Sequence, residues 1–296
     1  MRKRRGKRAC ASNSSLISSQ SAMEYLMTYG WAILIIAIVL VALFSLGVFN
    51  RANFSPRAQP GSCEVIRTSV QTSLVGECNG EIPQYVAEGA GQITINKEFL
   101  QNDSFTILAW VYWPPGTNFG AFDHGYAWSG PPSTDTGFGI FERSDSWYLN
   151  FYGDDLACNS GLLAGRWYQF GASWNNKTRL QTIWVNGVGS CNRTSTGYEV
   201  TGEPLYLLNA SGTWDGGANM GGGYVSNIQL YNTRLSANDI KTLYMEGIGA
   251  APINIQNLEG WWPLNGNAND YSGNGNDGTA TSVTYTSAWT SGYSAP

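Results

Sequence analysis

The sequence has one histidine, His124, and little charge of either sign: Asp, Glu, Lys and Arg make up 13% of its 296 residues, about half the share of an average globular chain. A single histidine excludes a multi-histidine metal centre. Sparse Lys and Glu exclude a coiled coil, whose flanking heptad positions need them. The shortage of charge does not signal disorder, because 43% of the residues are apolar and that is ample for a core. Glycine (36) and aromatics (12 Trp, 16 Tyr, 11 Phe) are plentiful instead. The mixture predicts short strands and tight turns rather than helices.

Charge is also unevenly placed. Arg2, Lys3, Arg4, Arg5, Lys7 and Arg8 stand in a segment, 1–19, with no acid, which leaves 11 basic against 21 acidic side chains in the rest. A body that acidic repels phosphate backbones, so nucleic acid is not an expected partner. From Tyr25 to Asn50 no side chain is charged, and Trp31–Phe49 reads WAILIIAIVLVALFSLGVF. As a helix those residues rise about 28 Å, close to the ~30 Å of a bilayer core. Basic residues stay inside, which puts 1–19 in the cytoplasm and everything after Arg51 outside. The run is too long for an ordinary cleaved secretory peptide and lacks a small-residue site at its end.

The junction before that run, with the segment QSAMEYLMTYGWAILII, resembles archaeal type IV pilin precursors with a class III signal peptide. The resemblance implies that a prepilin peptidase cuts between Ser19 and Gln20 on the cytoplasmic side. Gln20 would then begin the mature chain, and Glu24 would hold the place of the family's acidic residue. Ser19 stands where glycine is commoner, and a polar spacer, ASNSSLISS, precedes it. Gln20 and Glu24 are the expected assembly residues, the Glu24 carboxylate pairing with the Gln20 amine of a neighbouring subunit. A local first-turn role for Glu24 is the plainer alternative.

Beyond the helix, Cys63, Cys78, Cys158 and Cys191 are an even set in an exported chain, which predicts two disulfides. Three connectivities are open; Cys63–Cys78 and Cys158–Cys191 join nearest neighbours in sequence. Asn-x-Ser/Thr sequons at Asn53, Asn102, Asn176, Asn192 and Asn209 are glycosylation candidates. Residues 51–84 read as a neck or a small stapled excursion. Strands are expected at Gln92–Asn96, Phe105–Trp113, Trp147–Tyr152, Trp167–Trp174, Thr182–Val185, Leu205–Leu208 and Tyr224–Tyr231, with Asn186-Gly187 as a hairpin turn. One helix, capped by Ser236 and stopped by Gly247, carries Ile240, Leu243 and Tyr244 on one face.

The motifs FTILAWV (105–111), WVNG (184–187) and GYVSNIQLYNTRLSANDIKTLYMEG (223–247) resemble the laminin G-like, or concanavalin A-like, sandwich family. The expected fold is mainly β, an antiparallel jelly-roll β-sandwich over 85–296, preceded by a hydrophobic helix over 20–50 and a leader over 1–19. The segment WWPLNGNANDYSGNGNDGTAT (261–281) resembles a piece that usually comes first, so the sandwich reads as circularly permuted.

Catalysis is not expected. A retaining glycosidase needs two carboxyls about 5–5.5 Å apart, hence acids at alternate strand positions. Glu142 and Asp145 are out of phase, and Asp154-Asp155 are adjacent after a glycine turn. No cofactor is required, although calcium suits the oxygens of Asn265, Asn269, Asp270 and Asp277 in a Gly-rich loop; such Asx-Gly runs more often form turns. Tyr112, Trp113, Tyr126 and Trp128 are candidates for stacking on sugars. The function read from the sequence is a structural subunit of an archaeal type IV pilus-like surface filament with a lectin-like head. Its partners would be copies of itself, the prepilin peptidase and assembly machinery, the membrane before assembly, and surface glycans. The alternative is a membrane-anchored lectin-like adhesin that does not polymerise.

Overall fold

A computed structural model of the chain describes residues 17–49, 56–78, 81–100, 103–119, 124–130, 133–159, 161–198, 204–208, 220 and 222–296, the side chains of 17–24 and 26 excepted. The chain divides into two units, Met1–Asn53 and Phe54–Pro296. In the first, a single helix, α1 (Ile17–Ser45), runs unbroken through Ser19, Gln20 and Glu24. Its stretch Met27–Ser45 has a mean hydropathy of 2.5 and is long and apolar enough to cross a membrane. With apolar side chains on every side, such a helix has no polar face to turn to water.

The second unit is a sandwich of two sheets. One runs β14 (Val188–Thr194), β13 (Leu180–Val185), β12 (Trp167–Asn175), β7 (Phe105–Tyr112), β16 (Tyr224–Tyr231), β5 (Val86–Glu88), β19 (Tyr285–Thr286), and β17 (Leu258–Trp262) lies beside the second half of β16. The other runs β11 (Leu156–Asn159), β10 (Ser146–Asn150), β9 (Phe138–Arg143), β8 (His124–Ser129), β15 (Leu205–Leu207), β6 (Gln92–Ile95), β18 (Thr279–Thr281). Neighbouring strands within each sheet are antiparallel. The jelly-roll reading of the sequence holds, with the two sheets packed face to face.

Alternation decides what lies between them. Phe105, Ile107, Ala109 and Val111 of β7 meet Phe138, Ile140, Trp147 and Leu149 of the opposite sheet in one core. Each such side chain, fully withdrawn from water, stabilises the unit by about 1.5–3 kcal/mol. All eight residues of β7 are buried, because its outer face is covered as well. The cover is α2 (Ala237–Met245), capped by Ser236 and Asp239 in a reciprocal box, and the carboxy-terminal segment. Tyr244 of α2 stacks on Trp110 with ring centres 5.9 Å apart. Trp289 is fully buried, and the indole of Trp167 donates to its carbonyl.

Both expected disulfides are formed: Cys63–Cys78 and Cys158–Cys191, with Cα separations of 4.9 and 6.0 Å. The stretch read as a neck or a small stapled excursion belongs, in its described residues, to the sandwich unit. β1 (Arg57–Ala58) pairs in parallel with β4 (Ile82–Pro83), and β2 (Cys63–Arg67) with β3 (Thr72–Gly76) makes the stapled hairpin. Val65 is buried beside Leu258 and Trp261, and the Arg67 guanidinium donates to the carbonyls of Ser272, Ile255 and Leu258. Composition hid this packing, since Pro, Gln, Ser and Thr dominate the segment. The segment 261–281 supplies most of the carboxy-terminal strand pairing: Trp261 and Trp262 sit in β17 beside β16, and Thr279–Thr281 forms the edge strand β18 beside β6.

Candidate functional site

One outer face is covered by α2 and the carboxy-terminal segment; among the described residues, no helix covers the outer face of the seven-stranded sheet. Period-2 alternation, shifted once by a bulge between Gly125 and Ala127, sends a defined set of side chains there. Asn150, Gly139, Trp128, Tyr206, Thr94 and Thr279 lie directly opposite one another in a single row across six strands. A neighbouring row holds Tyr148 and Phe141. At about 4.8 Å per strand step, the first row spans about 24 Å.

Aromatic rings form its floor. Trp128 and Phe141 make a buried cluster with Tyr148 and Tyr206 half-buried against it. Phe141 and Tyr148 stack at 5.2 Å, 14° from parallel, and the exposed Arg143 guanidinium lies 4.9 Å from the Phe141 ring centre and 5.5 Å from that of Tyr148. The missing side chain at Gly139 makes room for this floor: a Cβ there would stand 3.0 Å from the Phe141 ring and 3.3 Å from Trp128. Gln92 and Thr94 are half-buried and Thr279 and Thr281 exposed at the far end. Ring faces beside uncharged hydroxyl and amide groups can stack on, and hydrogen-bond to, a sugar.

The four aromatic residues read from the sequence as candidates for stacking on sugars lie on three different faces. Trp128 belongs to the patch just described, though its own ring is buried. Trp113 and Tyr126 point between the sheets, the Tyr126 hydroxyl donating to the Phe170 carbonyl. Tyr112 is on the covered face, stacked on Tyr224. Burial therefore withholds all four rings from direct stacking on a ligand. The half-buried Tyr148 and Tyr206 were missed. Their signal was present: Tyr148 lies between inward Trp147 and Leu149, and Tyr206 between inward Leu205 and Leu207, so alternation turns both outward.

The acidic residues are separated. Glu142 is fully buried and faces the sandwich interior, with a carboxylate oxygen 3.7 Å from His124 Nδ1. Burial pushes its carboxyl above the usual range, partly opposed by His124. Asp145 is exposed in the β9–β10 turn. Asp154 accepts from the Arg193 guanidinium and from the Thr196 backbone and hydroxyl, and Asp155 accepts from Phe151 N at 3.0 Å. These acids brace loops. The side-chain oxygens of the calcium-type loop are engaged in the same way. Asp270 already accepts from Trp261 N, Ser272 N, Ser272 Oγ and Asn276 N, while Asp277 accepts from Asp270 N and Asn265 from Tyr85 N. Among the sequons, Asn176 and Asn192 are exposed; Asn53, Asn102 and Asn209 lie outside the described residues, as do residues 1–16 of the leader expected over 1–19.

The family profile described as the concanavalin A-like lectin/glucanases superfamily matches residues 87–241. A candidate carbohydrate-binding protein from Bacteroides ovatus superposes with a TM-score of 0.55 at 15% identity over 73% of this chain, which spans 66% of that protein's length. A heptameric pentraxin from Limulus polyphemus aligns over 78% of this chain and 92% of its own, with 10% identity and a TM-score of 0.43. The CBM40 of the Ruminococcus gnavus IT-sialidase, seen with alpha2,3 sialyllactose, aligns over 53% and 93%, with 15% identity and a TM-score of 0.42. No curated protein sequence matches significantly.

Proposed function

Because the chain belongs to the concanavalin A-like lectin/glucanases superfamily, we propose that it is a membrane-held surface protein whose seven-stranded sheet contacts glycans. The observation that carries this reading is the asymmetry of the sandwich: one outer face is covered, and the other presents half-buried Tyr148 and Tyr206 beside Gln92, Thr94, Thr279 and Thr281. Two disulfides support an oxidising compartment outside the membrane. Binding without catalysis is favoured by the wide separation in role of the buried Glu142 and the exposed Asp145. The detergent-solubilised chain should bind immobilised oligosaccharides, and Tyr148→Ala with Tyr206→Ala should weaken that binding at least tenfold while the chain still unfolds cooperatively. Unchanged binding in the double variant would remove this face from the function.

The finer proposal is that the mature chain, beginning at Gln20, polymerises through α1 into a type IV pilus-like filament that displays the sandwich. Its support is the match of QSAMEYLMTYGWAILII to pilin precursors. Circular permutation of the sandwich is proposed on the late position of 261–281. The second reading, an uncleaved anchored adhesin, draws on the unbroken course of α1 across Ser19–Gln20, which leaves no extended segment for a peptidase. Sequencing the mature amino terminus, with electron microscopy of surface filaments, separates them: a chain retaining Met1 and no filaments leaves the adhesin.

A further inference from the structure

We propose that Asn192 carries an N-linked oligosaccharide that shields the open edge of the eight-stranded sheet. Unpaired N–H and C=O groups along an edge strand invite pairing with another chain, and folded proteins keep such edges short, covered or charged. Three terminal strands here are short: β11 has four residues, β18 three and β19 two. The outer side of β17 is covered, Trp261 bonding through its N–H to Asp270 and through its carbonyl to Tyr271 N. Among the described residues, β14 is the long open edge, at seven residues.

Its first residues are guarded. Val188 and Gly189 run into a bulge whose unpaired residue is Ser190, and α2 sits on the adjoining turn, where a Cβ at Gly187 would stand 2.9 Å from Tyr244 Cβ. Among the described residues, Cys191–Thr194 has no such guard. Its one charge, Arg193, is drawn inward to the Asp154 carboxylate and the Asp155 carbonyl, and Cys191 is tied to Cys158. Asn192 and Thr194 alternate outward between them and are both exposed. The sequon thus occupies the unguarded half of the longest edge, with acceptor and hydroxyl on the same side of the strand. Asn176, the other described sequon, is in the β12–β13 turn, where no edge needs cover.

The chemistry is a transfer from a lipid-phosphate-linked oligosaccharide on the outer side of the membrane. The Asn192 Nδ2 forms a bond to the anomeric carbon as that carbon's bond to the phosphate oxygen breaks. The lipid phosphate leaves with the bonding pair, and one amide proton passes to the transferase base.

The test uses the full chain from its own cells in mild detergent. Mass spectrometry of the peptide containing Asn192 should find it carrying an oligosaccharide. Thr194→Val removes the sequon while keeping a β-branched side chain, and Asn192→Gln removes it differently. In sedimentation both should self-associate at concentrations at least tenfold lower than the unaltered chain, α1 being the same in all. Adding Ser190→Lys to Thr194→Val should restore the original behaviour by charging the edge. An unmodified Asn192, or both variants sedimenting as the unaltered chain does, would overturn the proposal.

Discussion

The Cys158–Cys191 bridge joins β11 to β14, the terminal strands of the two sheets on one side of the sandwich, and its removal should be costly. Its sequence separation of 33 corresponds to about 3.7 kcal/mol of lost unfolded-chain entropy at 25 °C. For a unit the size of this sandwich, each kcal/mol moves Tm by about 2–4 °C, so the Cys158→Ala/Cys191→Ala chain should melt about 7–15 °C lower. Calorimetry of the oxidised full chain measures this directly. Cys63–Cys78, with a separation of 15, should contribute about 3 kcal/mol in the same comparison. Amide exchange supplies the spatial control: loss of the first bridge should speed exchange at 156–159 and 188–194 before the rest of either sheet. A melting shift below about 2 °C, or exchange rising uniformly, would show that the bridge does not act as a clamp between sheets.

Burial raises the carboxyl pKa of Glu142, so the folded chain holds that proton more tightly than the unfolded one. Stability from this residue is therefore lost as pH rises from the ordinary carboxylate range through the raised value; Glu142→Gln should flatten that decline, and superimposable Tm–pH curves would contradict it. Gly187→Ala, at a φ of 75° with its Cβ 2.9 Å from Tyr244 Cβ, should cost about 1–3 kcal/mol in urea unfolding. In the pilin reading, Glu24→Gln should leave membrane insertion and leader removal intact while sharply reducing filaments; normal filament number would show that the charge does not guide assembly.

Strands whose residues announce a face were legible from the sequence. Gln92–Ile95, Leu205–Leu207 and Tyr224–Tyr231 are where apolar periodicity puts them, and the capped helix is present with Ile240 and Leu243 buried. β8 and β9 were not legible, because HGYAWS and FGIFER place His124 and Glu142 inward and glycine outward, which inverts the usual pattern. β14 was hidden too, since an edge strand with four exposed or half-exposed polar residues among seven carries no apolar signal. The candidate site suffered from a different limit. Tyr112, Trp113, Tyr126 and Trp128 are close in sequence, but strand alternation and the Gly125/Ala127 bulge distribute them among faces. The residues that do converge come from β8, β9, β10 and β15, whose adjacency only the sheet order reveals.

The stapled hairpin also determines how a pull on the chain travels. A pull that enters at residue 56 and opens the β1–β4 pairing next meets Cys63, before it reaches β4 along the backbone. There it has two routes, the backbone of β2 and β3 or the covalent bond to Cys78. The bond is the shorter and stiffer, so the strands of the hairpin lie outside the loaded line. With a separation of 15 residues between the two sulfurs, about 50 Å of chain is withheld from extension, at ~3.4 Å per residue. Under flow or drag those residues add nothing to the contour length of the strained chain.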